Sequence, residues 1–174
     1  MVRALPADGN RYEVIGGELF VTPAPNFRHQ DAVLKLLLRL VPFVETQRLG
    51  YALMAPADIE FDEEDMVQPD AFVGPLVAGR LPTKWSEIKS LLLAIEVLSP
   101  STARADRTVK RRLYQRAAVP EYWIVDVEAR LVERWRRADE RPEILTEMLT
   151  WHPAGASEPL VIDLPAMFLK ILEF

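Results

Sequence analysis

Leu91–Asp126, LLLAIEVLSPSTARADRTVKRRLYQRAAVPEYWIVD, reads as strand, loop, helix and strand. Leu91 to Ile95 is an unbroken apolar run bounded by polar residues. So short a run without alternation suits a strand covered on both faces. It ends in Glu96, a carboxylate at the mouth of a buried sheet, which needs a cation, a proton or a donor there. Ser99-Pro100-Ser101-Thr102 breaks the strand and offers hydroxyls to cap a helix. Ala103 to Ala118 has helical periodicity: Val109, Leu113 and Ala117 form a narrow apolar stripe, with Lys110 and Tyr114 beside it. Pro120 ends that helix, and Tyr122 to Val125 is a second apolar strand. The unit is βαβ, with an acid at one strand end and a basic helix after it.

Around this unit the chain punctuates itself. Arg11 to Phe20 reads as a hairpin turning at Gly16-Gly17. Glu18 follows the turn directly and, taken alone, is an exposed acid at a strand start. Asn26 stands where an N-cap belongs, and Phe27 to about Leu49 is the longest helical pattern. Its stripe of Val33, Leu37, Leu40, Val41 and Val44, widened by Leu34, Leu36 and Leu38, predicts burial by core or by a partner subunit. Pro42 should kink or end it. Gly50 to Phe61 reads as a hairpin or a pair of short strands, and Asp62 to Asp65 as an acidic loop. Met66 to Val73 reads as one short strand with Pro69-Asp70 in its middle, an edge or a bulge. Leu76 to Ser90 is loop with one helical turn near Trp85. Arg130 to Arg136 is a two-sided strand, Glu147 to Trp151 and Leu160 to Ile162 are short strands, and Asp163 caps a last helix over Leu164–Leu172. One α/β domain over residues 1–174, with a mixed sheet, fits best.

Composition narrows the chemistry. Hydrophobic residues make up 49%, enough for a core. The absence of cysteine excludes disulfides, thiolate metal sites and a thiol nucleophile. With two histidines, a histidine-rich zinc site is excluded as well. No apolar run approaches the ~20 residues that span a bilayer, and residues 1–10 lack the apolar core of a signal peptide; a cytoplasmic protein with no membrane partner is expected. The net charge of −5 speaks against coating nucleic acid by charge alone. Locally, however, Arg104, Arg107, Lys110, Arg111 and Arg112 are opposed only by Asp106.

Asp70 after a proline, Glu96 at a strand end and Lys110 on the following helix make one arrangement. Two carboxylates from neighbouring strands, with the Val97 carbonyl, can hold a hard divalent cation such as Mg²⁺. That cation polarises a phosphoryl oxygen, and a lysine nearby stabilises the negative charge that develops. Two simpler readings stay open: Asp70 making a turn hydrogen bond, and Glu96 pairing with Lys110 or an arginine.

The segments YEVIGGELFVTPAPNFRHQ, VQPDAFV and IEVLSPSTARADRTVKRRLYQRAAVPEYWIVD run in that order from Tyr12 to Asp126. In them the chain resembles the PD-(D/E)XK nuclease superfamily, and more closely the Uma-two family of restriction-type endonucleases. The resemblance implies a restriction-endonuclease-like core, a central mixed β-sheet flanked by helices. It implies Asp70 and Glu96 as metal-binding acids for Mg²⁺ or Mn²⁺, and Glu18 as a helper acid near the metal. His29 and Gln30 also match the family. The superfamily places a lysine two residues after the second acid; here that residue is Leu98, so the role moves to Lys110.

The function this implies is a metal-dependent endonuclease hydrolysing DNA by an activated water. Asp70, Glu96, Lys110 and Glu18 form its site, and Arg104, Arg107, Arg111 and Arg112 position the DNA. The alternative is a catalytically inactive nucleic-acid-binding or protein-interaction module on the same fold. A two-carboxylate glycosidase is a third class, for which the chain offers few aromatics to build a sugar platform. The broad stripe of the long helix leaves room for a homodimer, whose two-fold axis would suit cutting both strands.

Overall fold

The computed structural model describes residues 8–172. Its frame is a six-stranded mixed sheet in the order β10-β9-β8-β7-β6-β3. The strands are β3 (Gly50–Met54), β6 (Ala71–Pro75), β7 (Leu93–Val97), β8 (Glu121–Asp126), β9 (Leu131–Arg136) and β10 (Glu143–Leu145). Only β7 and β8 run parallel. A parallel pair needs a crossover, which the helical segment after β7 supplies: α2 (Ala103–Ala105) passes through a π-helical turn, Asp106–Lys110, into α3 (Arg111–Arg116). The βαβ unit read from the sequence is this crossover.

A smaller antiparallel sheet has the order β2-β1-β5-β4, with β1 (Arg11–Ile15), β2 (Glu18–Thr22), β4 (Ile59–Glu60) and β5 (Met66–Val67). Gly16 and Gly17, both at positive φ, make the turn between β1 and β2. β11 (Met148–Trp151) and β12 (Leu160–Asp163) form a two-stranded ribbon.

Each face of the large sheet is covered. One carries α1 (Phe27–Thr46) and α4 (Leu164–Leu172) over Ala71, Val73, Leu93, Ile95, Val97, Trp123 and Val125. From α1, Val33, Leu36, Leu40 and Val44 enter this core, each contributing roughly 1.5–3 kcal/mol of burial. Leu34 and Leu38 remain 47% and 62% exposed, so the stripe is narrower than its sequence suggested. The helix runs four residues past Pro42. The opposite face packs Phe72, Ala94, Tyr122 and Ile124 against Leu113, Tyr114 and the small sheet.

Two sequence expectations are corrected, and one open alternative is decided. Met66 to Val73 is not one strand. β5 belongs to the small sheet and β6 to the large one, and the chain changes sheets at Gln68-Pro69-Asp70, where proline has no N–H to give a ladder. Of the two readings of residues 50–61 the pair of short strands holds, β3 pairing with β6 and β4 with β5. The hydroxyls of Ser99, Ser101 and Thr102 bond one another at about 3.0 Å instead of capping α2.

Candidate active site

Register brings the two acids together. In the antiparallel pair of β6 and β7, Ala71 lies opposite Ile95 and Phe72 opposite Ala94. Asp70 and Glu96 are the next opposed positions. The two-residue period puts them on the face of Phe72 and Ala94, towards the crossover helix. Both line a cavity of about 190 Å³, with Arg11, Glu13, His29, Ser99 and Lys110 among its other walls. That is space for about six waters at their liquid volume.

Asp70 is 3% exposed and fully bonded. Its Oδ2 accepts from the Val97 backbone N–H at 2.8 Å and lies 2.9 Å from His29 Nε2. Its Oδ1 accepts from the Arg11 guanidinium. His29 is held in the first turn of α1, where the Asn26 side chain accepts its backbone N–H at 2.9 Å, the cap that the sequence indicated. Burial pushes the Asp70 carboxyl up. The His29 hydrogen bond and the surrounding charges, Arg11 and Lys110 among them, outweigh it and hold the carboxyl at about 2.

Lys110 is the hub. Its Nζ is 2.9 Å from Glu13 Oε2, 3.1 Å from Glu96 Oε1 and 3.7 Å from Asp106 Oδ1. The π turn sets Asp106 and Lys110 at its two ends on the buried side; such insertions in helices recur at functional sites. Burial disfavours the ammonium, but Glu96, Glu13, Asp106 and Asp70 overcome it, so its affinity for the proton rises well above that of a free lysine. Tyr114 Oη also donates to Glu96 Oε1, at 3.0 Å. Tyr114 is fully buried, a packed aromatic of the crossover helix whose hydroxyl is spent on the acid. Glu13 Oε1 accepts the Gln68 backbone N–H at 2.8 Å, which ties β1 to the sheet-changing segment.

Glu18, expected as the helper acid, stands exposed at the start of β2, opposite Ile15 and outside the cavity walls. Glu13 occupies the cavity instead. Arg11 and Glu13 went unassigned in the sequence although they are in phase with Ile15, which is buried; that phase was the available clue. The basic set divides. Arg107 binds Glu133 at 2.6 Å and Asp126 at 3.4 Å. Arg111 lies 4.8 Å over the Trp135 ring and bonds Gln115. Arg104 and Arg112 are exposed, with no side-chain ion pair among the described residues.

Four carboxyl groups, Glu13, Asp70, Glu96 and Asp106, thus meet two permanently charged side chains, Arg11 and Lys110. The excess negative charge is felt. Burial, with Asp70, Asp106 and Glu13 nearby, drives Glu96 well above an ordinary glutamate despite Lys110. Burial raises Asp106 to about 6, and its Oδ1 lacks a hydrogen-bond partner among the described residues. Among those residues no three Asp, Glu or His side chains form a ready ion cage. Hard oxygen donors on Asp70 and Glu96, in an acid-rich cavity with room for several waters, suit a cation that takes few protein ligands and keeps its water, as Mg²⁺ does.

Fold and site define a restriction-endonuclease-like α/β protein with an acidic cleft. The Uma2 family model, described as "Putative restriction endonuclease", matches residues 2–160, and the chain belongs to that family. Among solved structures, a crystal structure described as "a putative nuclease belonging to DUF820", from Anabaena variabilis ATCC 29413, matches with a TM-score of 0.82. It covers 98% of this chain and 97% of that one at 20% identity, a likeness that establishes the fold. Comparison with curated protein sequences gives no match.

Proposed function

We propose that the chain is a metal-dependent endonuclease that hydrolyses DNA phosphodiester bonds in the cavity between β6, β7 and the crossover helix. One observation carries the reading: Asp70, just before β6, and Glu96, near the end of β7, lie side by side on one face, with Lys110 reaching Glu96 from a π turn. Asp70 and Glu96 would hold Mg²⁺ or Mn²⁺. Such an ion, when bound, supplies Lewis-acid polarisation of a phosphoryl oxygen and a more acidic water.

The remaining roles belong to the chain. Lys110 keeps its proton at any ordinary pH, so it serves as a fixed positive charge and not as a base. Its place is beside the oxygens on which negative charge develops. Glu13 and Glu96 hold the ammonium from two sides, and Tyr114 fixes Glu96. Arg104 and Arg112 offer exposed charge to the DNA backbone. The proposal includes a homodimer using the exposed apolar residues of α1, Leu34 and Leu38, checked by light scattering. The proposal places the chain in the cytoplasm, where chromosomal and invading DNA are met.

A second reading has an observation of its own. Arg11, His29, Lys110 and Tyr114 satisfy Asp70 and Glu96 within the protein, so the cluster also makes sense as the ion-paired core of an inactive binding module. Plasmid cleavage decides between them. Under the nuclease reading, Mg²⁺ or Mn²⁺ supports cutting, and chelation or Asp70→Asn abolishes it. Wild-type protein that binds DNA and never cuts it, with either ion, establishes the second reading.

A further inference from the structure

Asp70 has three caps, and they are not alike. The Val97 N–H is main chain in a central strand, and the His29 ring is 8% exposed on a capped helix turn. The first cannot leave without unfolding the strand, and the second is held by the packing of α1 against the sheet. Arg11 opens β1 in the other sheet, and its side chain is 16% exposed on the cavity wall. Of its five N–H donors, only those of Nη1 have an acceptor among the described residues. Lys110, by contrast, is 5% exposed and held by two carboxylates. Among the described residues Arg11 is the site cation with both room to move and unused donors.

Its position conflicts with a divalent ion. A guanidinium on Asp70 Oδ1 and a dication on the same carboxylate repel strongly in a cavity of low effective dielectric. One of them must go, and the guanidinium sits on a flexible side chain. We propose that Arg11 is an exchangeable cation: it caps Asp70 Oδ1 while no divalent ion is bound, and turns to a substrate phosphate when an ion takes that oxygen. The proposal rests on the nuclease reading above. A guanidinium fork matches two phosphate oxygens better than an ammonium does. The exchange couples ion and substrate, since each favours the released arginine.

The test uses the full chain and its variants Arg11→Gln and Arg11→Lys. Mn²⁺ binding is followed by calorimetry, and binding of a labelled duplex by anisotropy in Ca²⁺. Arg11→Gln should bind Mn²⁺ about tenfold tighter, having lost the competing charge, and duplex about tenfold weaker. Arg11→Lys should keep Mn²⁺ affinity within about threefold of wild type and still lose duplex affinity. If wild type binds Mn²⁺ and Arg11→Gln binds it equally or more weakly, the exchange is overturned and the nuclease reading stands. Unchanged duplex affinity in Arg11→Gln overturns the exchange too. If no form binds Mn²⁺, both readings fall. Should Arg11→Gln not fold, wild-type crystals with and without Mn²⁺ decide: Arg11 leaving Asp70 supports the exchange, and Arg11 remaining on Asp70 beside the ion overturns it.

Discussion

Lys110 Nζ lies 2.9 Å from Glu13 Oε2, a bond between the π turn of the crossover helix and the first strand of the small sheet. It locks the small sheet over the acidic end of the large one and makes the cavity a joint product of both. Truncating one partner of a buried pair leaves an uncompensated charge, at a cost of roughly 3–5 kcal/mol. Lys110→Met should therefore lower the unfolding free energy in urea by about that amount and remove cleavage. A change below about 1 kcal/mol would show that the carboxyls find protons or cations without it.

Glu13 and Glu18 can be told apart directly. Glu13→Gln keeps the shape and removes the charge that holds Lys110, so cleavage should fall by at least about tenfold. Glu18→Gln, at an exposed position, should stay within about twofold of wild type and about 0.5 kcal/mol in stability. The reverse ranking would restore Glu18 as the helper acid.

Stability should respond to pH with opposite signs at two acids. Asp70, held at about 2 in the folded chain and ordinary when unfolded, contributes stability above pH ~4 that is lost as pH falls towards 2. The amount is about 2 kcal/mol. Asp106, raised to about 6, binds its proton more tightly when folded, so its contribution falls as pH rises from about 4 to 6. Asp106→Asn should gain about 3 kcal/mol relative to wild type between pH 4 and pH 7 in urea unfolding. A pH-independent difference would place Asp106 outside the coupled set.

The arginines of the crossover helix should separate by assay. Arg104→Ala and Arg112→Ala should each weaken duplex binding and lower its salt slope by about one, without changing the melting temperature. Arg107→Ala strips Glu133, 6% exposed, of its cation and should cost about 1–3 kcal/mol of stability. If Arg107→Ala changes only the salt slope, its ion pairs are secondary to DNA contact.

Local pattern determined much of this protein. The apolar run before Glu96, the stripe on the crossover helix and the Gly16-Gly17 turn each depend on neighbours a few residues apart, so β7, the crossover and the first hairpin were legible in sequence. Pro69 and the end of an apolar run also single out Asp70 and Glu96 locally as candidates, while the role proposed for them comes from the family resemblance. The tertiary structure alone decided which acid meets Lys110. Glu13 and Glu18 sit in similar strand sequence, and only the pairing of β1 with β5 turns one inward and leaves the other in solvent. It also decided the fate of the arginines and of Asp70 Oδ1. Ion pairs form between groups brought together by long-range packing, and no spacing along the chain encodes which cation a buried carboxylate will find.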